Sequence, residues 1–195
     1  MRQAVSVFIA ALLVFVSLTA NLLGSEKETI SNVRILFHGY QAPEKNGWGT
    51  AGWLVAGNIT NQPNMWMSIL GTRYNSKDWW LEIMIGAIVQ GGSETPLLDI
   101  RFSPPKFSKK AGSWWNAQWR SSGRFYFYGR LECVLSKDIS IGPETENLFD
   151  RNKKDDVSIG AYIKVPLGKI FTAVNAYQLH KKGGNQVWFR ALFNF

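Results

Sequence analysis

Few residues in this chain can do acid–base, nucleophilic or metal chemistry, and their spacing limits what that chemistry could be. The histidines are His38 and His180, and the single thiol is Cys133. A histidine acting as a general base in acyl transfer needs a hydroxyl nucleophile and an acid to orient it. Ser103, Ser108, Ser136 and Asp138 are the hydroxyls and the acid nearest in type and placement. The chain has no GxSxG, HExxH, phosphate-loop or GxGxxG signature, so no pattern draws these groups together. The catalytic set is read as empty, with His38 and His180 as its only candidates, both expected near the outer ends of strands, the first and the ninth. One cysteine and two distant histidines give no zinc spacing. The stretch DRNKKDD, from Asp150 to Asp156, intersperses cations among its acids and lacks the turn glycine that a calcium loop needs. No metal and no cofactor are expected.

Charge directs attention to binding. There are 22 Lys+Arg against 14 Asp+Glu, a formal net charge of +8. Lys106, Lys109 and Lys110 cluster in one connecting segment, and Lys181 and Lys182 in another. If both segments lie on the outer side, they form a basic rim suited to lipopolysaccharide phosphates. Nucleic acid is excluded as a partner, because the cations are dispersed and the chain is read as exported.

Export is read from the first residues, MRQAVSVFIAALLVFVSLTANLLG. A positive Arg2, an apolar run from Ala4 to Val16 and small residues after it form the three-part layout of a secretory signal. Residues 1–20 are assigned to it, with cleavage as late as 24, and 25–195 to one domain. At 46% hydrophobic, 14% aromatic and 18% charged, that domain is neither disordered nor collagen-like.

The elements that position these groups are strands. Residues 79–90 alternate: Leu81, Ile83, Ile85 and Val89 on one face oppose Trp80, Glu82, Met84 and Gln90. Segments 98–103, 125–136 and 157–165 repeat this pattern, and 32–40, 48–60, 65–74, 113–120, 169–179 and 187–195 follow it more weakly. Ten strands are expected, or eight if the pair 97–103 and 113–120 is misread; 137–156 reads as a long charged external loop, within which Ile139 to Gly142 either extends the strand from Phe125 or forms a separate ribbon.

Alternation alone does not say which face meets solvent. The minority face decides it by mixing Glu82, Asp99, Arg101, Arg130, Glu132, Lys164 and Arg190 with Trp80, Tyr126, Tyr128, Tyr162 and Trp188. Opposite charges between large rings suit a narrow filled lumen, with the apolar rows, Cys133 among them, facing lipid. Trp48, Trp66, Tyr74, Trp79, Trp114, Trp115 and Phe125 lie near strand ends, as bilayer-interface girdles would. Connections read as alternately long and tight, and an even strand count places both chain ends on the periplasmic side.

The chain closes on VWFRALFNF, with Val187, Phe189, Ala191, Phe193 and Phe195 on one face. This resembles the carboxyl-terminal targeting strand of bacterial outer-membrane β-barrel proteins. The resemblance covers nine residues and marks a class rather than a family. It implies recognition by the barrel assembly machinery, with Phe189, Phe193 and Phe195 as the targeting residues.

The expectation is therefore an all-β, closed, antiparallel up-and-down transmembrane barrel, a monomer in the bacterial outer membrane with membrane lipid as its surroundings. It would be structural, surface-interacting or a narrow channel filled by side chains. Two alternatives stand beside it. Outer-membrane enzymes that alter lipid A resemble this chain in size and place Ser, His and an acid at the external rim. A soluble lipocalin-like binder would use the same alternation with its apolar face turned inward.

Overall fold

The computed structural model describes residues 29–43, 45–60, 64–136, 139–151, 155–181 and 184–195. The proposed signal at 1–20, its late cleavage limit at 24, and Asp138 and Lys182 lie outside these residues. The described chain contains strands and turns and no helix.

Eleven strands form one closed barrel in sequence order. They are β1 (Thr29–Gln41), β2 (Gly47–Gly57), β3 (Met65–Asn75), β4 (Trp80–Gln90), β5 (Ser93–Ser103), β6 (Ala111–Arg120), β7 (Arg124–Ser136), β8 (Ile139–Asp150), β9 (Ser158–Pro166), β10 (Phe171–His180) and β11 (Asn185–Asn194). Sequential neighbours pair antiparallel, whereas β1 and β11 close the barrel in parallel, from Thr29↔Asn185 to His38↔Asn194. Closure leaves no edge unpaired. The Phe195 N–H extends the seam by donating to the His38 carbonyl oxygen at 2.9 Å.

The expected count of ten, or eight, is corrected by β8. All ten expected strands are present, and ISIGPETENLFD supplies the eleventh in place of an external loop. Pro143 and its acids disguise it in sequence. Proline has no N–H to give a ladder, and the β7–β8 pairing passes from Arg130↔Glu144 to Cys133↔Ile141 without Pro143. The Leu131 carbonyl at this gap instead accepts a 3.0 Å hydrogen bond from the Tyr162 hydroxyl. At Gly142 any Cβ would sit 1.8 Å from that same carbonyl oxygen, so only glycine fits there.

An odd count changes the geometry of the ends. Thr29 and Asn194 lie at opposite rims, here named the amino rim and the carboxyl rim. The expectation of both chain ends on one side therefore fails. So does the sorting of loops by length: 76–79, 104–110 and 167–170 lie at the carboxyl rim, and 91–92, 121–123 and the described part of the β8–β9 connection, 155–157, at the amino rim. Each rim mixes tight turns and longer connections. The 91–92 turn is built from Gly91 and Gly92 at φ 59° and 77°, the left-handed pair a two-residue hairpin requires.

Burial is inverted relative to a water-soluble domain. Ile85, Leu70 and Ile159 are 65–69% exposed, while Glu82 and Asp99 are 0% exposed. Between Phe37 on β1 and Phe193 on β11, the outward positions of the strands carry Val, Ile, Leu, Ala, Phe, Gly and a few uncharged polar residues. Among the described residues the charged outward position is Glu94, at the amino-rim end of β5. Aromatic groups bracket this belt. Trp48, Tyr74 and Trp79 pack together at the carboxyl rim, as do Phe37, Phe193 and Phe171. Trp119, Phe125 and Phe149 do so at the amino rim. Trp114 is the exception to the expected girdle, because it points into the lumen. Trp115 faces outward and lies flat over Gly129 on β7, where a Cβ would come 2.4 Å from its ring.

Candidate functional site

The interior is the site, and it has two unlike walls. Strands β2 to β5 contribute an apolar cluster of Trp53, Val55, Met67, Ile69, Met84, Ile88 and Leu97. Facing it, β7, β8 and β11 carry Arg130, Glu132, Glu144, Glu146 and Arg190, while Arg73, Glu82, Asp99 and Arg101 project inward from β3, β4 and β5 beside the apolar cluster. Each of the lumen charges expected from sequence (Glu82, Asp99, Arg101, Arg130, Glu132, Lys164 and Arg190) occupies an inward position.

These groups sort into linked clusters. Near the carboxyl rim, Arg73 Nη1 donates to Glu82 Oε1 at 2.6 Å and Trp53 Nε1 to Glu82 Oε2 at 2.9 Å. His38 Nε2 lies 2.9 Å from Glu82 Oε1, and its Nδ1 lies 3.2 Å from Asn194 Oδ1. The Arg73 guanidinium is sandwiched between Tyr40 and Trp80, at 4.2 and 4.3 Å. On β5, Asp99 accepts from Arg101 Nε at 2.8 Å and from Gln118 Nε2 at 2.6 Å, and Arg101 stacks 4.0 Å over Trp53.

The largest cluster spans the lumen from β8 to β1 and β11. Arg190 grips Glu144 with both terminal nitrogens, at 2.7 and 2.9 Å, and reaches Glu146 at 3.1 Å. Arg34 Nη2 donates to Glu146 at 2.8 Å. The Tyr126 and Tyr128 hydroxyls donate to Glu146 and Glu144 at 2.9 and 2.7 Å. Lys164 pairs with Glu132 across β9 and β7. Fork-to-fork arginine pairs of this kind are the geometry that offsets the desolvation of buried charge.

Sequence reading missed Arg34, Arg73, Arg120, Glu144 and Glu146. The two glutamates fall in a charged stretch that reads as a loop and that the barrel pairs as β8. The arginines sit in strands with weaker alternation, though each occupies the inward parity that neighbouring residues already mark. Partners far apart in the chain, such as Arg34 and Glu146, leave no local signal.

The proposed rims also separate. His38 lies near the carboxyl rim and His180 at the amino rim, so the expectation of both histidines at one outer end is corrected. His38 is held by Glu82 and Asn194, and His180 by Asp156 at 3.1 Å and Gln178 at 3.3 Å. Ser103 and Ser108 are tied elsewhere, Ser103 to the Ser113 carbonyl and Ser108 to the Lys110 N–H. The basic segments part in the same way, with Lys106, Lys109 and Lys110 at the carboxyl rim and Lys181 at the amino rim. A single basic rim does not form. Phe193 of the proposed targeting strand stacks between Phe37 and Phe171, Phe189 faces Asn175 of β10, and Phe195 is 66% exposed. Cys133 is outward and exposed.

A cavity of about 350 Å³ runs along the axis between the two walls. Trp80 borders this cavity and two more at the carboxyl rim, of about 390 and 210 Å³, which places it at their junction. The sequence matches no family model, and no curated protein or solved structure is similar to it.

Proposed function

We propose that this chain is a small bacterial outer-membrane β-barrel whose lumen is a narrow path for small solutes rather than an open pore. One observation carries the reading: an uncharged apolar belt faces outward between two aromatic rows, while the ionised groups are buried within. In water such a belt would be an aggregation surface. In hydrocarbon it is the required surface, and a closed barrel is one of the two forms that satisfy every backbone group there.

The charged interior argues against a soluble lipocalin-like binder, because the side facing a bound apolar ligand would be lined by ion pairs. Against the lipid A enzyme stands the separation of His38 from His180 and the engagement of Ser103 and Ser108 away from both. The crowding of Trp53, Trp80, Trp114 and six arginines around the axis argues against a wide porin and for a restricted path.

The test is reconstitution of refolded protein in planar bilayers, with heat-modifiable gel migration as the control for folding. Small, discrete conductance steps are expected from folded protein. Large porin-like steps, or folded protein that stays soluble without detergent, would defeat the reading.

A further inference from the structure

The lumen holds more guanidinium than its carboxylates can neutralise. Glu82 is engaged by Arg73, Asp99 by Arg101, Glu132 by Lys164, and Glu144 and Glu146 by Arg190 and Arg34. Arg120 and Arg130 are left over. Among the described residues, Arg120 makes a 3.5 Å contact to the Gln118 amide oxygen, and Arg130 comes no nearer than 4.0 Å to Glu132, which Lys164 already holds. The Nε is buried without a hydrogen-bond acceptor in both, as in Arg34 and Arg190, but those two hold carboxylates at 2.8 and 2.7 Å through their terminal nitrogens. A buried cationic donor left without an acceptor is costly unless something supplies one.

The arrangement around them has a direction. Six arginines line the axial cavity (Arg34, Arg73, Arg101, Arg120, Arg130 and Arg190), and none of the five lumen carboxylates does. The acids sit behind, so the free space meets positive charge. Arg130 also borders a smaller cavity at the carboxyl rim, together with Lys106, Lys109 and Lys110 and with Glu132, whose charge Lys164 and Arg130 offset. Arg120 ends β6 at the amino rim and borders the axial cavity beside Tyr126. Cations thus mark the whole route, from the lysine mouth past Arg130, along the axis, to Arg120.

We propose that the path is selective for small anions, with Arg130 and Arg120 as successive stations at which a permeating anion replaces its missing acceptor. This rests on the narrow-path reading above and adds the class of solute to it. Rings of Arg or Lys are how pores favour anions, and spaced weak sites allow release as well as entry. The lysine mouth raises the local anion concentration, an effect that salt screens. The solutes that fit are chloride, phosphate and short carboxylates small enough for a cavity of about 350 Å³ lined by Trp80 and Trp114.

The test is the reversal potential of the full barrel in planar bilayers under a potassium chloride gradient, and then with potassium acetate. The wild type should reverse on the anion side. A unit charge about 5 Å from the ion changes its occupancy about fourfold even at the dielectric constant of water. Because the same charge disfavours a cation equally, Arg120→Gln and Arg130→Gln should each lower the anion-to-cation permeability ratio by about sixteenfold, and the double variant should lower it further. Arg120→Gln removes no carboxylate's partner, and Arg130→Gln leaves Glu132 its closer ion pair with Lys164, so heat-modifiable migration should persist; the wild-type reversal potential tests the proposal without any variant. Conductance with no preference, or a preference for potassium, would overturn the anion assignment while leaving the narrow path standing. An inserted barrel that passes no current would remove the path and this inference together.

Discussion

Ile85→Arg measures the lipid-facing assignment in free energy. Ile85 is the middle residue of β4, outward and 69% exposed, flanked by Leu70 on β3 and Leu98 on β5. Five residues separate it from either end of the strand. At about 3.4 Å per residue and a tilt near 40°, that distance is about 13 Å along the barrel axis, half of the ~25 Å apolar belt of such barrels. An arginine there lies at the bilayer midplane and should cost about 2–4 kcal/mol. Val89→Arg on the same face, about 10 Å nearer the amino rim, should cost about 0–1 kcal/mol. In a water-soluble domain the same two substitutions, both at exposed positions, would each fall within about 0.5 kcal/mol of zero. Equilibrium urea unfolding from phospholipid vesicles reads the difference as a shift in midpoint at constant slope. Equal, small effects at 85 and 89 would refute the sidedness on which the functional reading stands.

Other outcomes follow from the lumen and the seam. Glu82→Gln leaves Arg73 buried without its carboxylate and should cost about 3–5 kcal/mol in the same unfolding assay; a loss below 1 kcal/mol would mean that the cluster is not closed as described. Trp80→Ala removes the ring shared by the three cavities, so single-channel conductance should rise with folding intact, and unchanged conductance would place the constriction elsewhere. Phe193→Ala loses stacking on both Phe37 and Phe171 across the β1–β11 closure, a loss of about 1–3 kcal/mol that should also slow assembly into vesicles. Cys133 should react with a lipophilic maleimide and resist a charged, membrane-impermeant one once the barrel is in vesicles; rapid labelling by the charged reagent would place it in water.

The faces of the fold were legible because alternation is local. On β4 and β5 the inward set Glu82, Asp99 and Arg101 and the outward set Ile83, Ile85 and Leu98 can be assigned within one strand, and the structure keeps both assignments. The strand count was not legible, because β8 is stabilised from a distance. Glu144 and Glu146 are acceptable in a strand only because Arg190 and Arg34 meet them across the lumen and Tyr126 and Tyr128 from the neighbouring β7, and none of these is near in sequence. Missing that strand reversed the parity of everything before it, which put His38 and Lys106 on the wrong side relative to His180. Arg120 and Arg130 were invisible as a pair for a related reason. An arginine announces its charge in sequence, but whether a carboxylate reaches it is a property of the closed barrel.

The central claim is that the outward rows meet acyl chains while the inward rows meet a confined, charged axis. Two single-cysteine barrels test it, Ile85→Cys and Met84→Cys, each carrying Cys133→Ser and an environment-sensitive fluorophore, in vesicles with nitroxide on the acyl chains. The label at 85 should be strongly quenched by the acyl-chain nitroxide and untouched by aqueous iodide, whereas the label at 84 should escape the nitroxide. Iodide quenching at 85, with nitroxide having no effect there, would contradict the account.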